Sequence, residues 1–78
     1  MSLTTEMLAE LDVLGLFPQE SLQEGIKVHS NAGPERIAAT ERLFAKGLIT
    51  QLDGGYLTPT GLEAVRNLAA LKTILSAA

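Results

Sequence analysis

A chain of 78 residues with no cysteine and a single histidine, His29, must hold its fold together by apolar packing alone. Disulfides, thiolate zinc sites and a thiol nucleophile are excluded, and one histidine is too few to anchor a metal staple. A domain of this size hides only about 60% of its unfolded surface, so its core is small and is often completed by a partner. The means for collapse are present: 46% of the residues are apolar and 19% charged, a globular balance rather than that of a disordered tail. There is room for one domain, 1–78. The opening MSLTTEMLAE lacks a basic n-region and a continuous apolar run, and nowhere do about 18 apolar residues run together. Neither a secretory leader nor a membrane span is therefore expected, and the chain reads as cytoplasmic.

Nine acids against six bases give a net charge of −3, which by itself argues against a polyanionic partner. The distribution is uneven. Glu6, Glu10, Asp12, Glu20 and Glu24 precede any base, whereas Lys27, Arg36, Arg42 and Lys46 crowd the middle with only Glu35 and Glu41 among them. In the final third, Arg66 and Lys72 balance Asp53 and Glu63. The molecule is polarised, with an acidic first third and a basic centre.

Periodicity places a first helix after Thr4, a good N-cap, with Leu3 set to staple onto Leu8. Met7, Leu8, Leu11 and Leu14 predict its buried stripe, leaving Glu6, Glu10 and Asp12 outside, and Gly15 and Pro18 end it. The segment 21–30 is ambiguous. Ser21-x-x-Glu24 has the form of a capping box, with Leu22 and Ile26 four apart, but Gly25 interrupts it and Ile26-Lys27-Val28 alternates like a strand. The reading preferred here is an extended piece at 26–28 after a helical turn. Asn31-Ala32-Gly33-Pro34 is a turn leading into a helix over 34–46, with Ile37, Thr40, Leu43 and Phe44 inward, Ala38, Arg42, Ala45 and Lys46 outward, and Gly47 as the stop. Leu48–Leu52 and Tyr56-Leu57 read as a hairpin turning at Asp53-Gly54-Gly55. Tyr56 is expected to pack this hairpin against the core. Thr58 and Pro59 then open a long C-terminal helix, 58–76. The expected core joins Leu11, Ile37, Phe44, Leu48, Leu57 and Leu62.

The chain is thus mainly α with a small β-hairpin, in the order helix, short extended segment, helix, hairpin, helix. Glu41-Arg42-Leu43-Phe44-Ala45-Lys46-Gly47-Leu48-Ile49, followed by Asp53-Gly54-Gly55-Tyr56-Leu57-Thr58-Pro59-Thr60-Gly61, resembles the winged helix-turn-helix superfamily. In that superfamily a recognition helix ends in L-x-x-K-G-L-I, a hairpin wing follows, and L-T-x-x-G opens the next helix. The match covers about residues 34–66. The whole chain also resembles a small family of uncharacterised proteobacterial proteins, sometimes labelled DNA-binding. Two features depart from the superfamily pattern. The helix before the recognition helix is represented only by 21–30, and the wing tip is acidic and small where DNA-binding wings commonly present arginine or lysine.

The resemblance implies a winged helix-like protein, a small dimeric regulator contacting DNA through the 34–46 helix. Arg42 would meet a base or phosphate and Lys46 a phosphate, with Arg36 and Lys27 completing the patch. Read from the residues alone, the same cations are a solvated helix face, with Lys46 well placed at a helix C-terminus. Gly54-Gly55 lacks the strand–loop–helix context of a phosphate cradle. His29 has no partner with which to build a triad or metal site, so no catalytic residue, metal or cofactor is expected.

The last helix adds a second candidate surface. Leu62, Val65, Leu68 and Ala69 form one stripe, which then moves round to Leu68, Leu71, Ile74 and Leu75. A helix of this length spans about 28 Å, more than twice the ~11–12 Å radius expected for the domain. Leu68, Leu71, Ile74 and Leu75 are therefore the expected interface of a homodimer. The alternative function is a non-catalytic protein–protein interaction module on the same scaffold, using the acidic first helix or the C-terminal helix.

Overall fold

Thr4 caps the first helix as its sequence predicts, its hydroxyl accepting from the Met7 amide at 3.0 Å, and α1 runs Thr5–Leu14. The computed structural model describes residues 2–19 and 23–77. After α1 come strand β1 (Ile26–Lys27), a 3-10 turn (Ser30–Ala32), helix α2 (Pro34–Ala45), strands β2 (Ile49–Gln51) and β3 (Gly54–Leu57), and helix α3 (Pro59–Ser76). The protein is mainly helical, with a small antiparallel sheet ordered β1-β3-β2. Ile26 and Lys27 are extended, as preferred above, and add a third strand to the hairpin. Ser21 and Leu22 lie outside the described residues, and with them the expected capping box.

The hairpin turns earlier than its glycines suggest. Leu52 and Asp53 form the turn, and Gly54 and Gly55 open the central strand β3. Their φ values are +127° and +72°. A Cβ on Gly54 would lie 2.6 Å from the Ile26 carbonyl oxygen, and one on Gly55 2.5 Å from Thr50 Oγ1. The glycines are required where both neighbouring strands close on β3, not at the tip. Tyr56, expected to pack against the core, is an exposed residue beside Gly25.

Helix α2 ends in a Schellman motif: Leu48 N–H donates to the Leu43 carbonyl and Gly47 N–H to that of Phe44, both at 3.0 Å. Thr58 then ties the two helix ends together. Its hydroxyl accepts from Gly61 N–H at 3.0 Å and donates to the Gly47 carbonyl at 2.7 Å.

The core consists of Val13, Leu14, Phe17, Ala39, Leu43, Ile49, Leu57 and Val65. Of the expected set Leu57 is buried, and Leu11, Ile37, Leu48 and Leu62 are half-buried. Phe44 is not part of it. It is 42% exposed, because α2 turns the arc Ala39-Thr40-Leu43 inward. Two neighbours impose this rotation: α1 packs on the flank with Ala38 and Arg42, and the hairpin faces the flank with Ile37, Thr40 and Glu41. Buried Thr40 stays satisfied by donating to the Arg36 carbonyl at 2.7 Å. Helix α1 is rotated likewise. Its buried positions are Glu10, Val13 and Leu14, continued by Phe17, while Leu3 and Leu8 are both exposed and form no buried staple.

Candidate functional site

The rotation of α1 places a carboxylate against α2. Glu10, at i−3, i−4 and i−7 from Val13, Leu14 and Phe17, shares their inward arc and is only 6% exposed. A carboxylate so placed needs partners, and α2 supplies two. Arg42 Nε donates to Glu10 Oε2 at 3.0 Å, and Lys46 Nζ donates to Glu10 Oε1. Arg42 also reaches the Glu6 carbonyl oxygen at 3.2 Å and its carboxylate at 3.8 Å. Burial pushes the Glu10 carboxyl up, but the hydrogen bonds and charges of Lys46 and Arg42 outweigh it and hold the group below its ordinary value of 4.5.

The sign of the resulting pH dependence follows. A depressed carboxyl pKa stabilises the fold above about pH 4.5, and that contribution is lost as pH falls through the lower folded-state value. Glu10→Gln should therefore cost about 1–2 kcal/mol at pH 7, less than for a fully buried pair because both cations are partly exposed. The gap in urea-unfolding midpoint between variant and parent should narrow steadily as the pH falls below 4.5.

The expected DNA patch is consequently divided. Arg42 and Lys46 are both bonded to Glu10 of α1, Arg42 half-buried and Lys46 still exposed. Arg36 is exposed and lines a shallow hollow with Ala9, Asp12, Ala32 and Glu35. Lys27 is exposed on β1, which hydrogen-bonds only to β3 in the sheet. The outward arc of α2 instead carries exposed Glu41, Phe44 and Ala45, with half-buried Ile37 beside them. Beside it an open groove runs between α2 and the hairpin, lined by Val28, Ile37, Thr40, Glu41, Leu52 and Asp53. Leu52, at the turn, is 55% exposed. His29 is an exposed residue preceding the 3-10 turn.

Of the expected dimer residues, Leu68 is half-buried, whereas Leu71, Ile74 and Leu75 are 51%, 69% and 74% exposed. Every described residue of α3 from Ala70 onward is exposed. Glu10, Phe44 and Leu52 are the site residues that sequence reasoning missed. The spacing of Glu10 from Val13, Leu14 and Phe17 was a signal for the first. The ion pairs that fix it span 32 and 36 residues and left no local trace.

A small helical domain with a three-stranded sheet, its helix α2 clamped to α1 through Glu10, is the class this geometry defines. The chain belongs to a family of unknown function, DUF5669, whose model matches residues 1–76. Comparison with curated proteins and with solved structures gives no match. Among the described residues, no helix is long and apolar enough to cross a membrane.

Proposed function

We propose that this protein is a non-catalytic protein-interaction module on a winged helix-like scaffold, with the groove between α2 and the hairpin as its contact surface. The scaffold reading is supported by element order: helix, strand, a 3-10 turn in the place of a second helix, helix, hairpin, long helix. One observation carries the functional reading. Of the three cations of the 34–46 helix that would meet DNA, Arg42 and Lys46 are engaged by Glu10 and Arg36 shares a hollow with Asp12 and Glu35, while the outward arc offers apolar surface and an acid. A DNA-reading helix needs the reverse, cations and hydrogen-bonding side chains outward. Asp53 at the wing tip and a net charge of −3 add repulsion toward a polyanion. A protein segment with an apolar side flanked by lysine or arginine matches the groove, with Val28, Ile37 and Leu52 meeting the apolar side and Glu41 and Asp53 the cations.

Fluorescence anisotropy with a labelled mixed-sequence duplex at ~50 mM salt separates the two readings. No saturable binding is expected up to about 10 µM protein. Saturable binding with a log–log salt slope of roughly −5, flattened by replacing Arg42 and Lys46 with alanine, would put the DNA reading in its place. A tagged protein should retain partners from its host extract that the folded Leu52→Glu variant loses.

A further inference from the structure

We infer that the free edge of β1 receives an extended segment of a partner protein, which adds to the sheet as an antiparallel strand. The edge is a different surface from the α2–hairpin groove, and the two readings stand or fall independently.

Strand β1 is the outer strand of the sheet, and its register leaves part of its main chain unused. Ile26 faces Gly55 and Lys27 faces Gly54, and Val28 N–H donates to the Asp53 carbonyl at 2.7 Å. Hydrogen-bonded pairs alternate along an antiparallel ladder, so Ile26 and Val28 turn their N–H and C=O groups to β3. Gly25 and Lys27 turn theirs away from it. The Gly55 carbonyl oxygen agrees, since it would lie 2.5 Å from a Cβ on Gly25 and is therefore aimed at the Gly25–Ile26 peptide. Gln23, Glu24, Gly25 and Lys27 are all exposed. Among the described residues, nothing pairs with the Gly25 N–H or C=O. Donors and acceptors thus stand in line at i and i+2, the spacing at which a strand is joined.

The side chains define the partner. Residues opposite one another across a ladder share a face. Lys27 is exposed and makes no ion pair among the described residues, so an acid belongs opposite it. Half-buried Ile26 and Val28 take apolar residues on the other face, and exposed Glu24 takes a cation. An antiparallel segment therefore runs apolar, acid, apolar, any residue, cation, opposite Val28, Lys27, Ile26, Gly25 and Glu24 in turn. A second copy of β1 suits this edge poorly. Its antiparallel registers set Lys27 against Lys27 or Glu24 against Ile26 or Val28.

The blocked peptide acetyl-Val-Glu-Val-Thr-Lys-amide, titrated into the ¹⁵N-labelled full chain, is the probe. A Kd of about 1 mM is expected, with the largest amide shifts at Gly25 and Lys27 and slower hydrogen exchange at the Lys27 amide. N-methylation of the peptide's Glu and Thr nitrogens, which face the edge, should weaken binding at least ~10-fold. N-methylation of its two Val nitrogens, which face away, should change it little. Lys27→Pro removes the outward N–H and none of the bonds to β3, so this variant should melt like the parent and lose the peptide. The methylated peptides make the same test on the unaltered chain. Absence of shifts at Gly25 and Lys27 with ~5 mM peptide, or equal losses from the two methylation patterns, would overturn the inference. So would exchange at Lys27 that slows with rising protein concentration in the absence of peptide, which would put a second copy on the edge.

Discussion

Leu43→Ala should cost about 3–5 kcal/mol, whereas Phe44→Ala, one residue on, should cost about 1 kcal/mol. Leu43 is among the largest fully buried side chains, at 1% exposure, and belongs to the core cluster that also holds Val13, Ile49 and Val65. Its removal leaves a cavity that the backbone, held by the Schellman closure from Leu48 to the Leu43 carbonyl, is poorly placed to fill. A domain this small has only a few kcal/mol of stability, so Leu43→Ala should be largely unfolded at 25 °C. Phe44 loses some packing but leaves no enclosed void. Urea unfolding followed by far-ultraviolet circular dichroism separates the two. Equal losses would mean that α2 presents a different face to the core.

The contrast marks where the sequence was legible. Capping residues act within a few positions of themselves, so Thr4, Pro34, Gly47 and Thr58 located helix ends correctly. The end of α3 was legible too, because an apolar stripe that drifts around a helix cannot stay on one small core. Helix rotation was not. In α2, the pairs Ile37–Phe44 and Ala39–Leu43 both satisfy helical periodicity, and the size of Phe44 favours the wrong one. What decides is that α1 and the hairpin approach from opposite flanks. Gly54-Gly55 misled for a related reason. Glycines read as a turn when considered with their chain neighbours, but these two are needed by Ile26 and Thr50 across the sheet.

The functional consequence runs through the same rotation. Had α2 buried Phe44, Arg42 and Lys46 would stand outward as an armed surface. With Leu43 inward they meet Glu10, and the acidic first third of the chain neutralises part of its basic centre within the molecule. The polarity evident in the sequence is therefore partly internal. Apolar positions at Phe44 and Leu52, and separately at the end of α3, remain the surfaces on which an outside partner gains most from burial.

Gly61→Ala should lower stability by about 1–3 kcal/mol, toward the upper end of that range. A Cβ at Gly61 would lie 2.0 Å from the Leu48 carbonyl oxygen, 3.0 Å from its carbonyl carbon and 3.2 Å from Leu57 Cδ2. The obstruction is backbone, so no side-chain rotation relieves it. Nor is the backbone free to move, because the Leu48 carbonyl accepts from Thr58 N–H at 3.1 Å while Leu48 N–H closes α2. Helix α3 must retreat, which strains the Thr58 bonds to Gly61 N–H and the Gly47 carbonyl. Gly15→Ala is the matched control. Gly15 has helical φ and ψ, and its added Cβ meets nothing closer than 3.5 Å, so that substitution should raise stability by about 0.4–1 kcal/mol. Each kcal/mol corresponds to roughly 4–8 °C in a domain of this length, so the two variants should melt on opposite sides of the parent. A Gly61→Ala protein that melts with the parent would show that α3 begins farther from Leu48 than these distances require.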